Sequence, residues 1–391
     1  MILRPRAIIQ QGKWIPGVEV EIENGVVVAI RPSTDASDAT ILTPAFVNAH
    51  SHLEYRGMLG QLDDEPEFFS WIRALTELKT AQTESEVRDD IRLAAHENRQ
   101  NGVALIGEHA DRTGSAEAMA ENGLGGIIFQ EVITFREREN PAEKLAAVNA
   151  RVREQSRGIP VVANPHSLYT VDEETLRHLF TEPGPRSIHV AESVYENQLI
   201  ERAEGPFADL ERKFGFHPQP RGIRAIAYLA EVGGLRAGTQ LVHACDVNDA
   251  EIETIAQSGA TIAHCPRSNA RLDTPIAPVR EILDAGIAVG LGMDSAASSG
   301  PIDMFAEMRS ALDQSQLRGR PVSAEEVWRI ATEGGAQSLG QPDWSIEVGS
   351  ATPLIALRIP AATSVEDLIR WGKPESVTWI ENPDWLSSPR S

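Results

Sequence analysis

The feature that most constrains the fold is an alternation that begins near Thr43. Apolar runs at 46–49, 104–107, 126–129, 159–163, 187–190, 241–244, 261–263 and 288–291 are separated by helical patterns, among them 85–99, 141–154, 172–179, 221–232 and 249–257. Near-continuous apolar runs read as strands buried on both faces, and strands joined through helices pair in parallel. Eight such units in about 300 residues predict an α/β chain built as a closed (β/α)8 TIM barrel, a fold that usually takes roughly 250 residues. The chain has 391 residues, more than one core ordinarily absorbs, so something is added to the barrel. Residues 7–30 alternate in short pieces broken by Gly17 and Asn24-Gly25, which reads as hairpins of a small antiparallel sheet with 18–22 and 26–30 flanking a turn. Short alternating pieces return at 353–358 and 376–381 and can rejoin that sheet. The expected organisation is therefore a barrel over 44–343 and one small β-sandwich domain composed of 1–43 and 344–391.

Charge narrows the function classes. With 36 basic and 57 acidic residues the formal net charge is −21, which argues against a nucleic acid partner, because polyanions are held through clustered Lys and Arg. The first residues carry Arg4, Arg6, Gln10, Gln11 and Lys13 in place of the apolar core of a signal peptide, and no run approaches the roughly 18 apolar residues of a membrane span. Cys245 and Cys265 are too few for a disulfide framework and fit a reducing compartment. A cytoplasmic protein without membrane contact is the expectation, with a homodimer the commonest assembly for such a chain.

Barrel enzymes place their chemistry at the C-terminal ends of the strands. The first run ends in Asn48-Ala49-His50-Ser51-His52, and residues two apart on a strand share a face, so His50 and His52 can offer two nitrogens to one ion. Taken alone, the pair reads equally well as two loop histidines. However, the fifth run ends in His189-Val190-Ala191-Glu192, the sixth in Val242-His243, the seventh in Ala263-His264-Cys265-Pro266, and the eighth in Gly292-Met293-Asp294-Ser295. Titratable groups recurring at one rim point to catalysis over structure. Three neutral imidazoles and a carboxylate, which His50, His52, His189 and Asp294 can supply, suit one divalent metal, Zn²⁺ first, with Fe²⁺ or Mn²⁺ as substitutes. Such a metal acidifies water to a pKa near 7. Glu192 can then shuttle a proton to the substrate, and His243 can face a developing oxyanion or orient the water.

These motifs resemble the amidohydrolase superfamily, and within it the deaminase and chlorohydrolase branch. The resembling residues run in order from Pro44 through His50-Ser51-His52-Leu53-Glu54, His189-Val190-Ala191-Glu192-Ser193, Leu241-Val242-His243 and His264-Cys265-Pro266-Arg267-Ser268-Asn269 to Asp294-Ser295. The resemblance implies that His50, His52, His189 and Asp294 bind the metal, that Glu192 is the proton shuttle and that His243 completes the catalytic set with Asp294. Dinuclear members carry a lysine after strand four; here that run ends in Ala163-Asn164-Pro165-His166-Ser167, which implies one metal and favours ring deamination over cyclic amide hydrolysis. His52-Leu53-Glu54, Phe68-Phe69-Ser70-Trp71 and residues 265–269 are most similar to aminofutalosine deaminase and related purine-type deaminases. The sequence departs from that pattern at Tyr55-Arg56, beside the expected pocket, and at Ala351-Thr352-Pro353-Leu354 in the small domain.

On this reading Glu54, Trp71, His166, Arg267 and Ser295 are the substrate-binding candidates. Arg267 can pair with a substrate anion or with an acidic neighbour. Glu108 and His109 either line the pocket or form a hydrogen-bonded rim pair, and His264 with Cys265 is a poor ligand pair beside a hard carboxylate. His96, His178 and His217 are expected in solvent. The expected activity is hydrolysis of a carbon–nitrogen bond other than a peptide, as deamination of a purine-like nitrogen heterocycle or nucleoside. The alternatives are a chlorohydrolase or amide hydrolase on the same barrel, or a non-catalytic barrel that binds.

Overall fold

The parallel strands lie where the apolar runs predict them. In the computed structural model, which describes residues 1–34, 39–65, 67–136, 140–155, 158–341 and 343–380, they are β1 (Phe46–Ser51), β2 (Val103–Ala110), β3 (Gly125–Val132), β4 (Val161–Pro165), β5 (Arg186–Val190), β6 (Thr239–His243), β7 (Thr261–His264) and β8 (Val289–Leu291). They form two four-stranded sheets, β1 to β4 and β5 to β8, each all-parallel and ordered as in the sequence. The sheets meet at both margins. Ser51 bridges Asp294, and Ser167 bridges His189, both in parallel sense. The Asp294 N–H donates to the His50 carbonyl at 2.9 Å, and the His189 N–H donates to the His166 carbonyl at 3.0 Å.

Local differences from the sequence reading have identifiable causes. β4 starts two residues later than the run at 159–163, because Pro160 has no N–H to give the ladder. It continues through the polar Asn164, whose side-chain oxygen accepts the Ser187 N–H at 2.8 Å. The helix expected over 221–232 is shortened to Ala225–Glu231, since Gly222 turns left-handed at φ 69° and Arg224 is already extended. The other four helical patterns are helices, with Pro141–Glu154 matching its predicted bounds.

Strands from both ends of the chain pair with one another. Val377–Trp379, Leu354–Leu357, Ile41–Pro44, Ala7–Gln10 and Lys13–Pro16 form a five-stranded sheet in that order, and Ile2–Leu3, Val18–Glu23 and Val26–Pro32 form a three-stranded one. The expected turn between Val18–Glu23 and Val26–Pro32 is made by Asn24 and Gly25 at φ 48° and 79°, the left-handed pair a tight hairpin requires. The expectation of purely antiparallel pairing is corrected in one respect: Ala7–Gln10 runs parallel to Ile41–Pro44, because the hairpin at 18–32 is inserted between them and the chain returns in the same direction. Ile8, Leu42 and Leu354 from one sheet share an apolar cluster with Val20 and Val27 from the other. The end of the expected C-terminal part, residues 381–391 with the last residue of the predicted strand 376–381, lies outside the described residues.

The junction into β1 is anchored. Trp328 donates its indole N–H to Thr43 Oγ1 at 3.0 Å, Trp344 donates to the Ala45 carbonyl at 2.8 Å, and the Phe46 ring packs edge-on against Phe305 and Trp328. Thus the strand that ends in His50 is held at its start by three aromatic side chains buried in the core.

Candidate metal centre and active site

β1 delivers His50 and His52 to one side of its end, and the bridge to Asp294 brings the end of β8 against them. His50 Nε2 lies 3.5 Å and His52 Nε2 3.8 Å from Asp294 Oδ1, while His52 Nε2 and His189 Nε2 face each other at 3.4 Å. Gly292 permits this approach, since a Cβ there would stand 2.7 Å from the His50 Cβ. His189 directs Nδ1 at the His166 carbonyl, 2.9 Å away, which fixes its proton there and leaves Nε2 for the centre. Among the described residues, ligand atoms of His50, His52 and Asp294 all lie within 4.8 Å of one another, as do those of His50, His109 and His189 and those of His52, Glu131 and His189.

Hydrogen-bond accounting separates these overlapping sets. Among the described residues neither nitrogen of His50 has a hydrogen-bond partner, although the residue is fully buried, and His52 Nδ1 has none either. Buried polar atoms without partners are costly unless something occupies them. His109, by contrast, already uses both nitrogens, with Nδ1 at 3.3 Å from Glu131 Oε1 and Nε2 at 2.8 Å from Ser187 Oγ. His50, His52, His189 and Asp294 thus could hold a divalent ion, with His109 and Glu131 packed behind them.

A family model described as the amidohydrolase family matches residues 41–377. The chain belongs to the amidohydrolase family. It is 30% identical over 397 aligned positions to a 5-methylthioadenosine/S-adenosylhomocysteine deaminase of Haloarcula marismortui, covering 94% of this chain and 85% of that relative. Among solved structures it resembles an adenosine deaminase from Xanthomonas campestris with bound zinc, at TM-score 0.79 and 23% identity over 96% of this chain and 90% of that one. It also resembles Helicobacter pylori aminofutalosine deaminase in complex with methylthio-coformycin, at TM-score 0.79 and 17% identity over 97% of both chains. The protein is an enzyme of this family.

Electrostatics in this amidohydrolase divide the histidines from the acids. Burial, then the neighbouring His50, lowers the pKa of His52 and takes that of His189 down to about 3, so both are neutral imidazoles, the form that ligates. Burial works to raise Asp294, but His50, His243 and His52 outweigh it and hold the carboxyl well below the usual range. Glu192 goes the other way. Burial first, then the negative charge of Asp294 and Glu196, pushes it well above an ordinary carboxylate. Glu192 Oε1 stands 3.4 Å from His243 Nε2, and the Asn269 amide lies 3.0 Å from His243 Nδ1; with that amide donating, the His243 proton resides on Nε2, facing Glu192.

Of the substrate candidates, the amidohydrolase brings two to the centre. The His166 ring lies 4.7 Å from that of His189, with Nδ1 at 2.9 Å from Thr170 Oγ1. Ser295 follows Asp294 and caps Ser298, whose hydroxyl donates to Asp294 Oδ2 at 3.2 Å. Three others spend polar atoms on the scaffold. Glu54 accepts the N–H groups of Asp111 and Arg112 at 3.2 and 2.8 Å. Trp71 donates to the Ala297 carbonyl at 3.4 Å. Arg267 meets the acidic neighbour: its N–H donates to Glu307 Oε1 at 2.9 Å, and its guanidinium lies 3.8 Å from Glu307 Oε2.

The departure at Tyr55-Arg56 also resolves into two fates. Tyr55 stacks on His52 at 5.3 Å, whereas Arg56 turns away to Glu97. His96, His178 and His217 are exposed, and both cysteines are buried and free. Sequence reasoning missed Glu131 and, though it quoted them within the motifs, gave no role to Asn269 or to Asn48, whose side-chain oxygen accepts the Met293 N–H at 2.8 Å and so positions the turn into Asp294. Glu131 was legible as a carboxylate in Gln130-Glu131-Val132, just past the end assigned to the third run.

Proposed function

We propose that this amidohydrolase hydrolytically removes the amino group from a purine-like nucleoside at a single divalent metal, zinc first, with iron or manganese as substitutes. His50, His52, His189 and Asp294 would hold the ion, and the unpartnered nitrogens of buried His50 support that assignment. A zinc-type ion in such a site supplies an acidified water at neutral pH. The chain's own residues supply the rest. Glu192, kept protonated by its surroundings, gives a proton to the ring nitrogen beside the amine-bearing carbon. His243 stabilises the oxygen added to that carbon, and His166 with Ser295 orients the heterocycle. A carbon–oxygen bond forms, the carbon–nitrogen bond breaks, and one water is consumed for each ammonia released. The observation that carries the reading is the Glu192–His243 pair set directly beside the histidine and aspartate cluster.

The same reading joins the two parallel sheets into one (β/α)8 barrel over 44–343, supported by the bridges at both margins. It makes the five-stranded and three-stranded sheets one small sandwich domain from 1–43 and 344–391, supported by their shared apolar cluster. Among the described residues no helix is long and apolar enough to cross a membrane. We take the enzyme to act in the cytoplasm as a homodimer on a small nucleoside. Ammonia release is measured across adenosine, 5-methylthioadenosine, S-adenosylhomocysteine, aminofutalosine and a chlorotriazine, alongside metal analysis of the purified protein. Turnover of a 6-aminopurine nucleoside with about one metal per chain is expected. Halide release from the triazine without ammonia from any nucleoside overturns the reading.

A further inference from the structure

A line of buried hydrogen bonds runs behind the proposed ligands and joins the two parallel sheets. It passes from Glu131 on β3 to His109 on β2, then to Ser187 on β5, Gln240 on β6 and Ser338 in helix Glu333–Ser338. Its direction is fixed from the far end. The Ser338 hydroxyl donates to the Gly335 carbonyl at 2.8 Å, so toward Gln240 Nε2, at 3.1 Å, it can only accept. Gln240 Oε1 then faces Ser187, whose hydroxyl donates to it at 2.8 Å. Ser187 Oγ has only lone pairs left for His109 Nε2 at 2.8 Å, which places the His109 proton on that nitrogen. Glu131 Oε1 stands 3.3 Å from the remaining nitrogen, Nδ1, and closes the line as its donor. Ser187 is itself clasped by Asn164, whose side chain accepts its N–H at 2.8 Å and donates to its carbonyl.

His50 is what this line leans on. Metal-binding imidazoles are usually aimed by a hydrogen bond at the nitrogen facing away from the ion, as the His166 carbonyl aims His189. His50 has no such partner among the described residues on either nitrogen. Packing must therefore set its ring, and the closest ring against it among the described residues is His109, edge-on at 4.4 Å and 73°. The rings of His52 and His189 stand at 4.9 Å and that of His243 at 5.7 Å. His109 also meets His189 edge-on, at 5.0 Å. A ring held at both nitrogens cannot turn away from the load placed on it.

We infer that His109 is the positioning residue for His50: its ring, locked from Glu131 on one side and from Ser187, Gln240 and Ser338 on the other, holds the His50 ring with Nε2 turned to Asp294. This rests on the single-metal reading above and adds to it the groups that aim one ligand.

The test loads the full chain and its variants with Zn²⁺ and with Co²⁺. It reads the ions held per chain, the affinity by competition with a chelator, and the visible absorption of the cobalt form, which follows ligand geometry. Ser187→Ala and Glu131→Leu are expected to keep about one ion per chain, to bind it about 10- to 100-fold more weakly, and to shift the cobalt bands. Glu131→Gln, whose amide N–H can donate to His109 Nδ1 in place of the acid, is expected to stay within about threefold of the wild type with its bands unshifted. Where Glu131→Leu does not fold, Ser187→Ala, which removes one oxygen on the far side of His109 from Glu131, carries the comparison. Unshifted bands in Ser187→Ala, whatever its affinity, overturn the positioning role, and so does a Glu131→Gln as weak as Ser187→Ala. Variants that hold well under one ion at saturating metal overturn it as well, because His109 is then a ligand in its own right. A wild type that binds neither ion stoichiometrically overturns the single-metal reading itself.

Discussion

In the sheet β1 to β4, the strands leading to His50, His109 and Glu131 end on backbone that any residue adopts, while in the sheet β5 to β8 the chain turns left-handed at Ala191, His243, Ala244 and Asp294, with φ of 51°, 72°, 48° and 50°. None of these four is glycine, and each such residue costs roughly 1–2 kcal/mol relative to ordinary backbone. The first sheet holds groups whose charge need not change during a reaction. The second holds Glu192 and His243, to which the proposed chemistry assigns the moving proton, together with the carboxylate of Asp294. Strain gathers where side chains must be aimed against the run of the strand, and the surrounding packing sustains it.

The largest expected effect breaks the unstrained side. His50→Ala removes a proposed ligand from the histidine and aspartate cluster; metal content measured on the purified variant is expected to fall below one-tenth of wild type, with activity lost in step. Glu192→Gln probes the strained side instead. It is expected to keep its metal while kcat falls by about 10²- to 10⁴-fold, the usual worth of a positioned proton donor. Full activity in a metal-replete Glu192→Gln would remove Glu192 from the mechanism.

Smaller effects fall on stability. Burial raises Glu307 to about 8, against which the nearby Arg267 only partly prevails. Because the folded form binds this proton more tightly than the unfolded chain, with a pKa near 4.3, its contribution is fully present below that value and is lost as pH rises through about 8. Melting temperatures measured from pH 5 to 8.5 are therefore expected to decline, and Glu307→Gln to flatten the decline. The smallest effect sharpens the comparison itself. Ala244→Gly relieves a left-handed alanine at the cost of a more flexible unfolded chain, so denaturant melts should register a gain of about 0.5 kcal/mol. The same exchange at Ala49, extended at the end of β1, should lose stability.

What was legible in the sequence follows the same division. The eight parallel strands announced themselves because burial on both faces leaves no polar alternation, and His50, His52, His189, Glu192, His243 and Asp294 stood out because each follows an apolar run. Glu131 escaped because it lies within a strand, where only the packed partner His109 explains a carboxylate. Glu54 drew attention beside His52, yet its oxygens close the turn at Asp111 and Arg112, a long-range pairing that no local spacing encodes. The left-handed strand ends were unreadable, since alanine, histidine and aspartate give none of the warning that glycine would.

Ile41–Pro44, which leads directly into the strand bearing His50, lies between Ala7–Gln10 and Leu354–Leu357. One neighbour precedes it in the chain and the other follows only after all eight parallel strands. A growing chain therefore carries this strand with one bare edge until Leu354–Leu357 has been made, and a chain cut before Leu354 keeps that edge for good, open to pairing with another molecule. Closing the last strands onto Ile41–Pro44 is a long-range step, slow relative to the local βα units. The segment that leads into His50 and His52 is thus sealed only after β8, the last of the parallel strands, has been made, which ties the order of one end of the site to the making of the other.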